Sequence, residues 1–217
     1  MTLVPVTHKS KTETYISVTS ETGLLNLVQI SALEIHGWQC RADDTEHPDK
    51  LVFDADPAPD VPWEQTILTA QRLRKILEGA GLVPFPMTTG GKGLHVVVPL
   101  KRGATWDEVK EFTHAVAQAL EKSYPDQYIS TMSKAKRTGK IFIDYLRNAK
   151  TASAILPYSA RARDGATVAM PLSWREVTAR LDPNDFTIAS VPGRLKKRKS
   201  DPWQDYERSR KPLKLKA

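Results

Sequence analysis

The sequence of 217 residues holds one cysteine, Cys40, which excludes an intrachain disulfide and any zinc centre built on cysteine. No apolar run approaches the ~20 residues that a membrane-spanning helix requires. The N-terminal MTLVPVTHKSKTET lacks the apolar stretch of a secretory signal, so the expected compartment is the cytoplasm. There is no internal repeat. An excess of positive charge is also missing from most of the chain. Residues 194–217 carry ten Lys/Arg and three Asp/Glu, which accounts for the whole net charge of +7 and leaves 22 basic and 22 acidic residues in the rest. The pattern is that of a neutral body with a basic tail, not a uniformly basic nucleic-acid coat.

What is present reads as alternating strands and helices. ETYISV (13–18) alternates like a strand, Ser20 is placed to cap a short helix through Leu24, Leu25 and Val28, and ALEIHGW (32–38) reads as a strand with Glu34, His36 and Trp38 on one face. LVFDAD (51–56) is a buried strand stopped by Pro57. Residues 62–80 place Trp63, Ile67, Ala70, Leu73 and Leu77 at helical spacing. VPFPM (83–87) and LHVVVPL (94–100) are strands flanking the glycine loop TTGGKG (88–93). Thr105 and Glu108 form a capping box for a second long helix, and Ser173 and Glu176 predict another on a short helix. YIST, KIFIDYL and ASAILPY supply further extended segments. Strands that meet across short loops between two long helices predict an α+β fold with a largely antiparallel sheet, in preference to a doubly wound parallel one.

Three features carry chemistry. Asp54 and Asp56 stand two residues apart on a strand, so both carboxylates project from one face. Two like charges there call for a cation, and oxygen ligands suit Mg²⁺ or Mn²⁺, although two solvated acids at a strand exit would look the same. Asp144 is a lone acid in the apolar strand IFIDYL. It needs either the same cation or a salt bridge to Lys140 or Arg147. In the glycine loop, Gly90, Gly91 and Gly93 let the backbone approach a ligand, while Thr89 and Lys92 add a hydroxyl and a positive charge, as a polyphosphate requires. A tight hairpin is the competing reading, and the loop is not a Walker A motif. His36 and His95 lie on strands, where structural histidines are common, but His95 follows Gly93 closely enough to face a loop ligand. Cations at Lys134, Lys136, Arg137, Lys140, Arg147, Lys150, Arg161 and Arg163 surround Asp144, as either a solvated face or a phosphate-binding one.

Taken together, LVFDADPAPD, TTGGKGLHVVVPL, STMSKAKRTGKIFIDYLRN, YSARARDGATVAMPLSW and ETGLLNLVQISALEIHGW resemble the polymerase domain of bacterial ATP-dependent DNA ligase D, in the archaeo-eukaryotic primase superfamily. The likeness runs from about residue 13 to 190. It implies a primase-polymerase fold, an RRM-like sheet flanked by helices, with a second lobe that is incomplete because part of the family's N-terminal lobe has no counterpart. The implied organisation is an N-terminal extension (1–12), a catalytic domain (13–193) and a basic tail or flexible linker (194–217).

By the same resemblance, Asp54, Asp56 and Asp144 are the catalytic metal ligands, for Mn²⁺ or Mg²⁺. Thr89, Gly90, Lys92, Gly93, His95, Arg147 and Arg161, with His36, surround the nucleotide. The implied reaction adds an NTP or dNTP to a primer 3′-hydroxyl at DNA gaps or ends during non-homologous end joining, in a bacterial, nucleoid-associated setting, with Ku and a ligase chain as partners. Two other readings fit the residues: a non-catalytic DNA-end-binding or assembly module using the tail and segment 134–163, and a metal-dependent phosphoesterase on the same acids.

Overall fold

The computed structural model of the chain describes residues 1–214 and, at Lys134, the backbone alone. The chain opens with a hairpin of β1 (Thr2–His8) and β2 (Lys11–Ser17), paired along their whole length from Thr2↔Ser17 to His8↔Lys11. Lys9 and Ser10 turn the chain with φ of 46° and 65°, the left-handed conformation that a two-residue hairpin loop demands. The segment expected as an N-terminal extension is thus half of a hairpin. Its only buried apolar side chain is Val6, so periodicity alone gave little sign of it.

Helix α1 (Glu21–Gln29) begins where expected, with the Ser20 hydroxyl accepting the Gly23 N–H at 3.2 Å. The stretch 32–38 contributes a much shorter strand than its alternation predicts. Only β3 (His36–Gly37) pairs, with β9 (Ala154–Ile155).

The centre is β4 (Lys50–Pro57), followed by α2 (Trp63–Gly79), β5 (Phe85–Thr88), β6 (Leu94–Pro99), α3 (Trp106–Ser123), β7 (Tyr128–Ile129) and β8 (Ile141–Asp144). The five strands lie in the order β5-β6-β4-β8-β7. All pairs are antiparallel except β7 with β8. The Thr105–Glu108 capping box starts α3 as the sequence predicts.

Strand parity divides the sheet chemically. On one face Leu51, Phe53 and Ala55 of β4 are completely buried with Leu73 and Leu77 of α2 and Val109 and Leu120 of α3. A fully buried side chain of this size contributes about 1.5–3 kcal/mol, so this face anchors the fold. The opposite face of β4 carries Val52, Asp54 and Asp56. Val52 packs with Met87, Val97, Ala154, Ile155 and Ala169, and this smaller cluster is covered by Trp203 and Tyr206.

Two expectations need correction. Only half of the expected box forms at Ser173: its N–H and hydroxyl both donate to Glu176 Oε2 at 2.7 and 2.9 Å, while the Glu176 N–H donates to Ser173 O at 3.0 Å instead of to the hydroxyl. No helix follows, however, and the segment is a turn. The Glu176 carboxylate also pairs with Arg194 and Arg198, which lie at the start and just beyond the end of the basic run of helix α4 (Val191–Lys197).

The tail is likewise not a free linker over its described part. The Trp203 indole donates to Pro86 O at 3.1 Å, and Trp203 and Tyr206 stack at 5.4 Å. Arg210 donates to Asp49 O at 2.6 Å and to Leu100 O at 3.0 Å. Aromatic and aliphatic anchors spaced among the cations hold the segment to the sheet. Its last three residues, 215–217, lie outside the described ones.

Candidate active site

The exit of β4 builds the site. Asp54 faces His95 on β6 and Asp144 on β8 in the strand register, so His95, Asp54 and Asp144 form one row across three strands, with Asp56 two residues further on. Opposed residues of antiparallel strands sit only ~4.5–5.5 Å apart at Cα, so the row gathers charge closely. The Asp54 and Asp144 side chains are 14% and 13% exposed, whereas that of Asp56 is 52% exposed. The first two are therefore the desolvated pair and Asp56 is the rim.

Each acid has a basic neighbour. His95 Nε2 lies 3.5 Å from Asp54 Oδ2, with the ring almost fully buried. His95 Nδ1 has no partner among the described residues. Arg147 follows β8 in a short 3₁₀ turn and places its guanidinium 3.1 Å from Asp144 Oδ2 and 3.5 Å from Asp54 Oδ2. Arg137 donates to Asp56 Oδ2 at 3.0 Å and lies over the Phe142 ring at 4.0 Å.

Burial pushes the Asp54 carboxyl up, but the charges of His95 and Arg147 outweigh it and hold the group below the ordinary carboxylate value. Asp144 and Asp56 are raised, each chiefly by burial and further by the charge of Asp54, with Arg147 and Arg137 opposing. Among the described residues no three His, Cys, Asp or Glu side chains stand together as a ready-made metal cage. The arginines take carboxylate oxygens that a cation would otherwise use. The donor set nevertheless fits a hard divalent cation: three carboxylates on adjoining strands, two of them raised by burial and mutual repulsion, offering oxygen alone.

The glycine loop is pressed against this strand. The Thr89 N–H and hydroxyl both donate to Gly93 O at 3.2 Å, and the same hydroxyl accepts the Gly91 N–H at 3.2 Å. A Cβ at Gly93 would lie 2.8 Å from Ala55 O and 3.2 Å from Asp54 Oδ1, so only glycine lets the loop approach the acids. Gly90 adopts φ +66°, and a Cβ there would meet Arg161 Cγ at 2.6 Å. Arg161 donates to Thr89 O at 2.6 Å, and Thr167 donates to Gly90 O. Lys92 is exposed at the tip.

Residues Asp54, Asp56, Asp144, His95 and Arg147 therefore form one cluster, and Thr89, Gly90, Gly93 and Arg161 form the adjoining loop wall. His36 stands on β3, partly exposed, and lines an open cleft of about 740 Å³ together with Leu24, Leu27 and Glu34. Three participants escaped the sequence reading. Arg137 was visible as one cation among many, but not as the partner of Asp56. Asn148 is fully buried and bonds both Val52 N (2.7 Å) and Val52 O (2.8 Å), standing in for a strand where β8 has ended. Its place in the string LRN was the available signal. Glu34 joins Arg161 and His36, and only its alternation with His36 hinted at a shared face.

Comparison with known proteins gives a consistent result. The family model described as the LigD primase-polymerase domain matches residues 1–203. The multifunctional non-homologous end joining protein LigD of Pseudomonas aeruginosa is 38% identical over 196 residues, covering 90% of this chain and 23% of that protein. The bifunctional non-homologous end joining protein LigD of Bacillus subtilis is 32% identical over 187 residues, covering 86% and 30%. The chain thus spans between about a fifth and a third of the length of these relatives. Among solved structures, the polymerase domain of Mycobacterium tuberculosis ligase D in complex with DNA superposes with a TM-score of 0.87 at 33% identity, covering 96% of this chain and 75% of that one.

Proposed function

The chain belongs to the LigD primase-polymerase domain family, and from that premise we propose that it is a metal-dependent nucleotidyltransferase that extends a primer 3′-hydroxyl at DNA gaps and ends in non-homologous end joining. The observation that carries the reading is the row of Asp54 opposite Asp144, with Asp56 beside it and a glycine loop held against the same strand by Gly93. Acid ligands and a phosphate cradle are brought within one side chain's reach of each other, as phosphoryl transfer requires.

Asp54, Asp56 and Asp144 would hold Mg²⁺ or Mn²⁺. When bound there, the cation supplies the charge that acidifies the primer hydroxyl and offsets the charge on the departing pyrophosphate. The chain's own groups do the rest. Lys92 and Arg161 bind the triphosphate, and the Thr89 hydroxyl and the backbone of Gly90 to Gly93 shape the loop around it. Arg147 and Arg137 neutralise the carboxylates and keep the three acids from repelling one another. His95 stays buried against Asp54 and fixes its rotamer. His36 faces the nucleotide from the cleft. The substrate strand is DNA, and Ku and a ligase chain are the partners to which end joining would couple this activity.

The test is primer extension on a gapped duplex with a 5′-phosphate, with Mn²⁺ and either ATP or dATP. Asp54→Ala is expected to lower incorporation by about three orders of magnitude or more, since an interaction made in the transition state is removed. Incorporation by the Asp54→Ala protein at the wild-type rate would overturn the assignment. No incorporation by the wild-type chain, with DNA binding retained, would leave a DNA-binding module.

A further inference from the structure

Arg161 and His36, both assigned to the nucleotide in the proposed function, lie on different elements, yet both touch a single carboxylate. Glu34 Oε1 accepts the Ala162 N–H at 2.8 Å and lies 3.1 Å from Arg161 Nε, while Oε2 lies 3.3 Å from His36 Nε2. The backbone just after Glu34 is tied down at Ile35. The Ile35 N–H donates to Ser159 Oγ at 2.7 Å, and Ile35 O accepts the Leu156 N–H at 3.0 Å. The bond from Ala162, opposed by partial burial and helped by His36 and Arg161, holds the Glu34 carboxyl down to about 2.

Arg161 is then bonded at one point, by Nη1 to Thr89 O, and paired at a second, where Glu34 lies 3.1 Å from Nε as an ion pair without hydrogen-bond geometry. The bare Cα of Gly90 admits its stem to the loop. A planar guanidinium bonded on one side and charge-paired on the other keeps its fork closer to one orientation than a free side chain does.

We propose that Glu34 is a positioning residue of the nucleotide site, holding Arg161 against the glycine loop and His36 in the cleft with one carboxylate. The proposal rests on the nucleotide-binding roles of Arg161 and His36 given above. A bland alternative makes a contrary prediction. Were Glu34 only a partly exposed ion pair, it would add little to structure, and removing its negative charge near an anionic ligand would tighten binding by simple electrostatics. Positioning requires the reverse.

The test is calorimetric titration of the full chain with ATP and, separately, with inorganic tripolyphosphate, without primer. Glu34→Gln keeps an oxygen for the Ala162 N–H but loses the charge. Its melting temperature is expected to stay within a few degrees of wild type, while its Kd for ATP rises about tenfold. For tripolyphosphate, Glu34→Gln combined with Arg161→Ala is expected to bind no worse than Arg161→Ala alone, because Glu34 acts on phosphate through that arginine. Unchanged or tighter ATP binding by Glu34→Gln would overturn the proposal, and so would additive losses in the tripolyphosphate cycle. Because no turnover is needed, a chain that binds ATP but fails primer extension would count against polymerisation and not against Glu34. A chain that extends primers while Glu34→Gln binds ATP normally would do the opposite.

Discussion

The N-terminal segment and the central sheet treat apolar surface in opposite ways. In the sheet, every residue of β6 is buried, and Leu51, Phe53 and Ala55 of β4 are sealed completely against α2 and α3. In residues 1–37, by contrast, Leu3, Leu25, Val28 and Ile30 are each more than 60% exposed, and Leu33 is 55% exposed. The hairpin and α1 hold their shape chiefly by local means, a full ladder of strand pairs and a Ser20 cap, joined by the Tyr15–Trp38 ring contact at 4.4 Å and one distant bond, from Lys150 to Thr7 O at 3.0 Å. The sheet is stabilised by transfer of apolar area from water, whereas the N-terminal part is stabilised by hydrogen bonds and local geometry. The acids sit where the strong part ends, so their geometry inherits the stiffness of the core. His36, at the boundary with the weaker part, receives its rigidity through Glu34.

Substitutions in the two regions separate these accounts. Phe53→Ala removes a ring from the fully buried face, and a loss of about 3–5 kcal/mol is expected in urea unfolding. A loss under ~1 kcal/mol would mean that the sheet is not the dominant core. Gly93→Ala places a methyl against Ala55 O, and backbone cannot step aside as a flexible side chain does. We expect about 1–3 kcal/mol of destabilisation, together with weakened tripolyphosphate binding as the loop lifts from Asp54. Wild-type binding by that variant would separate the loop from the site. Ser20→Ala deletes the α1 cap, worth ~1 kcal/mol. The expected signature is faster amide exchange confined to α1 with little change in the global melt, because α1 buries only Gly23. A matching drop in global stability would show that α1 is part of the main cooperative unit.

Much of the fold was legible because its signals are local. The Thr105–Glu108 capping box, the helical spacing of α2, the parity of β4 and the position of the glycine loop between two strands each depend on residues a few positions apart, and the structure carries them. Legibility failed where contacts are distant or where polar chemistry overrides pattern. Ser173 and Glu176 make half a capping box and no helix, because the Ser173 hydroxyl donates to the carboxylate instead of accepting the Glu176 N–H. The tail looked like a solvated charge run, yet Trp203, Tyr206 and Arg210 dock it on the sheet. Residues 1–8 gave no helix or core signal because one residue in seven of β1 is buried.

By itself the sequence determined which residues could serve. Two acids on one strand face, a third acid in an apolar strand, three glycines around a lysine, and cations near them follow from residue type and a spacing of two. Only the tertiary structure decided which of them meet. His95 and Asp144 flank Asp54 because of strand register. Arg137 reaches Asp56 across 81 residues and Ala162 reaches Glu34 across 128. Periodicity fixes the direction of a side chain relative to its own backbone, but register and packing are set by burial of the opposite, apolar face. That face carried no information about the polar partners it would bring together.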